Sequence, residues 1–304
     1  MQPTGAQGQP LQRVDQLRGE RRQVIEGGRT FIREPDRTII REEGRTIIRH
    51  SEVDRFRVDA RAVRSERQGS ETITTIERPD GTRIVTVVDD EGRLVRRSRR
   101  GSDGREVILI DNRYRGPVRS HTYFVDLPPP VIRIPRERYI LETQGASQRD
   151  IYEVLIAPPV ERIDRRYTLD EVRYSPRLRE RMPRVDIDTI TFETGSWAIT
   201  PDQVDRLAMI AAAVKEAIGH NPAEIFLVEG HTDGVGTDED NLSLSDRRAE
   251  SVAIALTEKF AVPAENLTTQ GYGEQYPKVP TQAAERQNRR VTMRRITPLL
   301  TGQN

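Results

Sequence analysis

Cysteine is absent from the 304 residues, which excludes disulfide scaffolds, thiol nucleophiles, thiolate metal sites and a lipid-bearing cysteine within the chain as given. Long apolar runs are missing too. Stretches such as Ala208 to Val214 and Ile225 to Val228 fall far short of the roughly 20 residues that a membrane-spanning helix needs. The first residues have neither a basic start nor an apolar core, so a leader is expected to lie outside this sequence. Lysine is scarce: Lys215, Lys259 and Lys278 are the only three, and no lysine follows a glycine-rich run, so there is no phosphate loop. Charged residues make up 32% of the chain yet net only +1, which argues against a nucleic-acid binder driven by phosphate neutralisation.

The charge is unevenly placed. Residues 185–304 carry a net of −7, and residues 1–184 a net of +8 made entirely with arginine. Residues 1–27 are mostly Gln, Gly, Pro and charge, the profile of a disordered tail. An eight-residue repeat then runs through Arg29-Thr-Phe-Ile-Arg-Glu, Arg37-Thr-Ile-Ile-Arg-Glu and Arg45-Thr-Ile-Ile-Arg-His, with turn signals at Pro35-Asp36 and Glu43-Gly44. Further β-branched runs alternate with Asp-Gly and Glu-Gly turns to about residue 110, so residues 28–126 read as an Arg-rich antiparallel β-meander arm. So much arginine between apolar positions predicts a thin buried face and a solvated, projecting stalk. Residues 127–184, opening on Leu127-Pro-Pro-Pro130, read as a Pro-rich spacer with short helical turns, one of them capped by Thr168 to Glu171.

Ordinary globular patterning begins at Val185. A strand is predicted over Val185 to Phe192, with a bulge between Ile187 and Ile190. A helix follows, capped by Thr200 and Gln203 and closed by a left-handed Gly219. Glu224 to Glu229 reads as a strand buried on both faces, feeding a long polar loop and a second helix capped near Ser243 and Asp246. With two further strands, Leu267 to Gln270 and Arg290 to Ile296, residues 185–304 are predicted to be an α/β sandwich with helices on one mixed sheet. This region is expected to fold alone.

Five blocks in order, Ile190-Thr-Phe-Glu-Thr-Gly-Ser, Glu229-Gly-His-Thr-Asp-Gly-Val-Gly, Asn241-Leu-Ser-Leu-Ser-Asp-Arg-Arg-Ala249, Gly271-Tyr-Gly-Glu and Asn288-Arg-Arg-Val291, make residues 185–296 resemble the OmpA-like C-terminal domain family. The resemblance implies non-covalent binding of cell-wall peptidoglycan through the diaminopimelate of its stem peptide, in the periplasm of a diderm bacterium and in association with the outer membrane. The free end of diaminopimelate carries an ammonium and a carboxylate on one carbon, so its receptor needs a fixed anion and a fixed planar cation. Asp233, at the strand's end, and Arg248, on the next helix, meet that need. Asn241 and Thr232 are expected to orient the loop or touch the ligand, the helix N-terminus at Leu242 to Leu244 to add donors, and Arg289 and Arg290 to be secondary candidates or edge-strand charges.

His231 is expected to be structural, and Trp197 and Phe192 to belong to the core. A calcium site from Asp233, Asp238, Glu239 and Asp240 lacks the EF-hand spacing. A hydrolase built on Ser243 or Ser245 with His231 and Asp233 lacks the serine-presenting turn. The chain is therefore expected to be a non-enzymatic envelope protein with no cofactor, no metal and no nucleic-acid partner, which links the outer envelope to the wall. In an alternative, the arm of residues 28–126 is the functional assembly surface, binding envelope or outer-membrane proteins, and the C-terminal domain is only an anchor.

Overall fold

An eight-residue period returns equivalent side chains to one face of a strand, and the arm uses it to build an isoleucine stripe. The computed structural model describes residues 12–42, 44–113 and 124–302. One helical turn, α1 (Val14–Arg18), leads into β1 (Arg22–Glu26), β2 (Arg29–Arg33), β3 (Arg37–Glu42) and β4 (Arg45–His50), an antiparallel sheet in sequential order. Ile32 stands opposite Ile39, and Ile39 opposite Ile48. After a turn, α2 (Val53–Phe56), a second antiparallel sheet follows: β5 (Ala62–Gln68), β6 (Glu71–Glu77), β7 (Arg83–Val88), β8 (Leu94–Arg100) and β9 (Glu106–Asp111). The meander is as predicted, with β1 and β5 added at its edges, where charge masks the alternation.

The rest of the chain forms one sandwich. In order come α3 (Arg136–Tyr139), β10 (Ile140–Glu142), α4 (Gln148–Ile156), α5 (Leu169–Tyr174), α6 (Pro176–Arg179) and β11 (Arg184–Asp186). They are followed by α7 (Pro201–Val204), α8 (Ala208–His220), β12 (Phe226–Gly230), α9 (Asp238–Phe260), β13 (Leu267–Gly271), β14 (Val291–Arg295) and α10 (Thr297–Thr301). The strands are ordered β10-β11-β14-β12-β13, with β10 parallel to β11, β12 parallel to β13, and β14 antiparallel to both its neighbours. This is the expected mixed sheet. Among the described residues no helix is long and apolar enough to cross a membrane.

Several boundaries differ from the sequence reading. The supposed spacer is part of the sandwich: β10 extends the sheet, and Ile151, Tyr152, Val154 and Leu155 of α4 join α8 and α9 in the main core. The opposite sheet face is covered by Ile163, Tyr167, Leu169, Val172, Leu178 and Met182, with Leu109 and Ile110 of β9. Of the predicted strand from Val185, only β11 is regular, although the Ile187 amide still bonds to the Val291 carbonyl. Thr200 turns its hydroxyl onto Asp202 and Gln203 accepts from the Thr191 amide, so neither builds the expected capping box. Gly219 lies inside α8, which ends only at extended Asn221. The tail is structured from Gln12 onward: Leu17 is 0% exposed against Trp197 and Leu244. Residues 1–11 lie outside the described residues, as does Glu43 of the second turn signal.

The projecting stalk is also overturned, because the arm is clasped onto α9 and β13. Ile32, Ile39 and Ile48 pack on Leu242, while Ile40 and Ile47 on the other face meet Tyr174. Between these apolar contacts the arginines find acids. Arg37 Nε donates to Asp246 at 2.8 Å, Arg55 to Glu250 at 2.5 Å, and Arg21 to Asp240 at 2.6 Å. The pattern is reciprocal: Arg247 of α9 donates to Glu34 at 3.0 Å and to Asp36 at 2.6 Å. Glu52 takes Arg97, Arg173 and the Thr269 amide, and Glu265 takes Arg78 and Arg99. His50 sits between Asp246, 2.9 Å from Nδ1, and Glu250. Burial alone would lower the His50 pKa, but the two carboxylates raise it to about 9.

Two outcomes follow from this packing. A fragment of residues 185–304 lacks β10 and the α4 core residues, so we expect it to melt without cooperativity in circular dichroism, whereas residues 127–304 should melt cooperatively below the full chain. His50 has a raised folded-state pKa, so its contribution is complete below about pH 6.5 and is lost as pH rises through about 9. Full-chain stability should therefore fall by roughly 3 kcal/mol across that window, and denaturant titration of His50→Gln should show that limb flattened.

Candidate functional site

Two glycines set the geometry. Gly230 ends β12 and pairs with Gly271 at the end of β13. A Cβ on Gly230 would fall 1.8 Å from the Ser245 carbonyl oxygen, and one on Gly271 2.3 Å from the Asp246 amide nitrogen. Helix α9 therefore lies directly on the strand ends. The contact is fixed by polar bonds: the Gly271 amide donates to Asp246 Oδ1 at 2.8 Å and the Gly273 amide to Ser245 Oγ at 2.9 Å.

Helix α9 starts earlier than the sequence reading placed it. Thr237 is the N-cap and accepts from the Asp240 amide. Ser243 and Asp246 are therefore interior helix residues, and Leu242 to Leu244 have no free amides to offer. Asp238, Glu239 and Asp240 fill the first turn, where the helix dipole favours anions, and Arg18, Arg21 and Arg41 pair with the last two. Among the described residues no group of three His, Asp or Glu side chains could hold a metal ion.

Arg248 is 1% exposed and points beneath the loop that follows β11. Its Nε donates to the Ser196 carbonyl at 2.9 Å and Nη2 to the Glu193 carbonyl at 3.1 Å, with the guanidinium 4.9 Å from the Phe192 ring centroid. Nη1 is buried and has no hydrogen-bond partner. Burial and the nearby Arg289 cation bring the Arg248 pKa down to about 10, and the Asp233 carboxylate opposes them. The two residues singled out in the sequence thus share one electrostatic neighbourhood.

Asp233, 7% exposed, accepts at Oδ2 from Arg289 Nη1 at 2.6 Å and from the Glu285 amide at 3.3 Å. Thr232 is buried, its amide bonded to the Gly273 carbonyl and its hydroxyl unpartnered. Asn241 is buried beside Gly236, where a Cβ would meet its side-chain oxygen at 3.5 Å. Arg289 is brought to the site. Arg290 is turned away, donating to the Tyr276 carbonyl at 3.0 Å, and the strand it precedes, β14, is central in the sheet and not an edge. His231 is buried, and burial with neighbouring arginines holds its pKa well below the usual value. Ser243 donates to Glu34 and Ser245 to the Leu242 carbonyl. Trp197 and Phe192 are buried as expected.

The sequence reading missed the carbonyls of Glu193 and Ser196, although the Thr-Gly-Ser turn signal within that block could have flagged them. It also missed the brace behind them. The Val14 amide donates to the Gly195 carbonyl at 2.8 Å and the Trp197 amide to the Gln12 carbonyl at 3.3 Å, so the N-terminal segment holds the loop that holds Arg248.

Comparison with known proteins identifies the family of this segment. A family model described as the OmpA family matches residues 191–290. The lipoprotein YfiB of Escherichia coli is 34% identical over 113 residues, covering 36% of this chain and 68% of its own. The peptidoglycan-associated lipoprotein of Haemophilus influenzae is 38% identical over 108 residues, 35% of this chain and 67% of its own. The solved peptidoglycan-associated lipoprotein from Burkholderia pseudomallei is 28% identical, covers 35% of this chain and 87% of that one, and superposes with a TM-score of 0.31. Through this C-terminal segment, the chain belongs to the OmpA family.

Proposed function

We propose that the domain binds cell-wall peptidoglycan non-covalently through the zwitterionic end of diaminopimelate, without catalysis, and anchors the chain to the wall in the periplasm beside the outer membrane. The observation that carries this reading is the unsatisfied buried Nη1 of Arg248, held in place by two loop carbonyls and close to Asp233. A buried guanidinium nitrogen without a partner is costly, and a ligand carboxylate removes that cost. Both bonds recorded for Asp233 fall on Oδ2, so Oδ1 is the acceptor for the ligand's ammonium. Names of matched relatives, which include peptidoglycan-associated lipoproteins, point the same way.

Arg289 holds the ammonium's place in the absence of ligand. It is the more exposed partner of its pair with Asp233, at 28% against 9% of side-chain area, so it can swing out and admit a guest. Solvent reaching the Arg289 side screens this partly buried pair, so it is worth on the order of 1 kcal/mol. With one charge-assisted carboxylate clamp and one ammonium contact, affinity per stem lies in the millimolar to micromolar range, and the many stems of the polymer supply avidity.

Sedimentation with purified sacculi tests the reading. Asp233→Ala and Arg248→Lys should lose binding at least tenfold, and free meso-diaminopimelate should compete with the wild type, whereas Nα-acetyl-lysine amide, which offers an ammonium without the neighbouring carboxylate, should not. Retention of both variants on the wall, or equal competition by Nα-acetyl-lysine amide, overturns the site. Arg289→Gln should bind up to about fivefold tighter, since it removes the internal competitor. Arg248→Ala should also lower stability by about 3 kcal/mol in a denaturant titration, because it strips two charged hydrogen bonds from the Glu193 to Ser196 loop.

A further inference from the structure

We propose that β5 is a dimerisation edge, pairing antiparallel with β5 of a second copy of this chain about Ser65. Strand β5 is the outer strand of its sheet, and all seven of its residues are exposed. It contains no proline and no bulge in its pairing with β6. Elsewhere in the arm arginines find acids, but among the described residues Arg64 and Glu66 make no ion pair, and their neighbours across the sheet are Thr75 and Ile73.

These idle charges are self-complementary. In a two-fold antiparallel pair centred on Ser65, Arg64 of each copy stands opposite Glu66 of the other, giving two reciprocal ion pairs on one sheet face. Val63, itself 40% exposed, then lies against the aliphatic stem of Arg67 on the other face. Sliding either way to the next register that keeps the faces matched sets Arg64 against Arg64 or Glu66 against Glu66. Like charges directly opposite are destabilising, so a single register is selected. Charges on an edge usually deter pairing, but here the signs alternate at the spacing a second copy matches, and opposite charges directly across a strand pair attract. Neither β5 nor β6 contributes a residue to the Asp233 site, so dimerisation and wall binding are separable in experiment.

The cysteine-free chain allows a direct test of register. Directly opposed residues of an antiparallel pair have Cα atoms about 4.5 to 5.5 Å apart, within disulfide reach. Ser65→Cys should therefore give a disulfide-linked dimer in a glutathione redox buffer. Val63→Cys, whose two thiols would be displaced by roughly 13 Å along the strands, should cross-link at least tenfold less. In sedimentation equilibrium the unmodified chain should dimerise, Arg64→Glu should weaken the dimer at least tenfold, and the exchange Arg64→Glu with Glu66→Arg should restore it. A chain that stays monomeric at every concentration, equal cross-linking at the two positions, or a charge exchange that fails to restore the dimer overturns the proposal.

Discussion

Asp246 joins the three parts of this protein. It is 0% exposed, lies on α9, accepts the Gly271 amide at one oxygen, and accepts Arg37 and the His50 ring at the other. Helix, sheet and arm therefore meet on one carboxylate, whose pKa is held far below the usual range by His50 and Arg37 despite burial. Ion pairs taken out of water gain little net stability, because desolvation offsets most of the attraction, but losing one member strands the other at a cost of about 3 to 5 kcal/mol. Such a seam selects one docking of the arm more than it adds to stability. The apolar contacts of Leu242, Leu17 and Tyr174 provide the attraction, and the charges fix the register.

Much of this was legible in the residues. The eight-residue repeat, the Asp-Gly and Glu-Gly turns and the buried β12 appear where their patterns place them. What misled was the habit of assigning charge to solvent. An arginine on a strand carries no mark of whether its partner is water or a carboxylate two hundred residues away. The opposite net charges of the two parts, +8 and −7, were the available clue, and they describe two surfaces that neutralise one another. Leu17 was equally obscure, since one apolar residue in a polar tail gives no period to detect.

At the site, the residue types and their order singled out Asp233 and Arg248, whose charges influence one another. Their immediate partners were not legible. Arg248 is held by backbone carbonyls, which have no sequence identity, and Asp233 by Arg289, which sequence could not rank above Arg290. The start of α9 was misjudged because Thr237, Ser243 and Asp246 are all competent caps, and only the tight glycine contact at the strand ends decides among them.

The brace of Gln12 and Val14 on the Gly195 to Trp197 loop has a mechanical meaning. The chain's N-terminal segment and its far C-terminal domain touch at the loop whose carbonyls hold Arg248. A pull on the N-terminal segment would therefore be felt first at that loop, and the ion pairs of Arg18 and Arg21 with Asp240 on α9 would share the load with it.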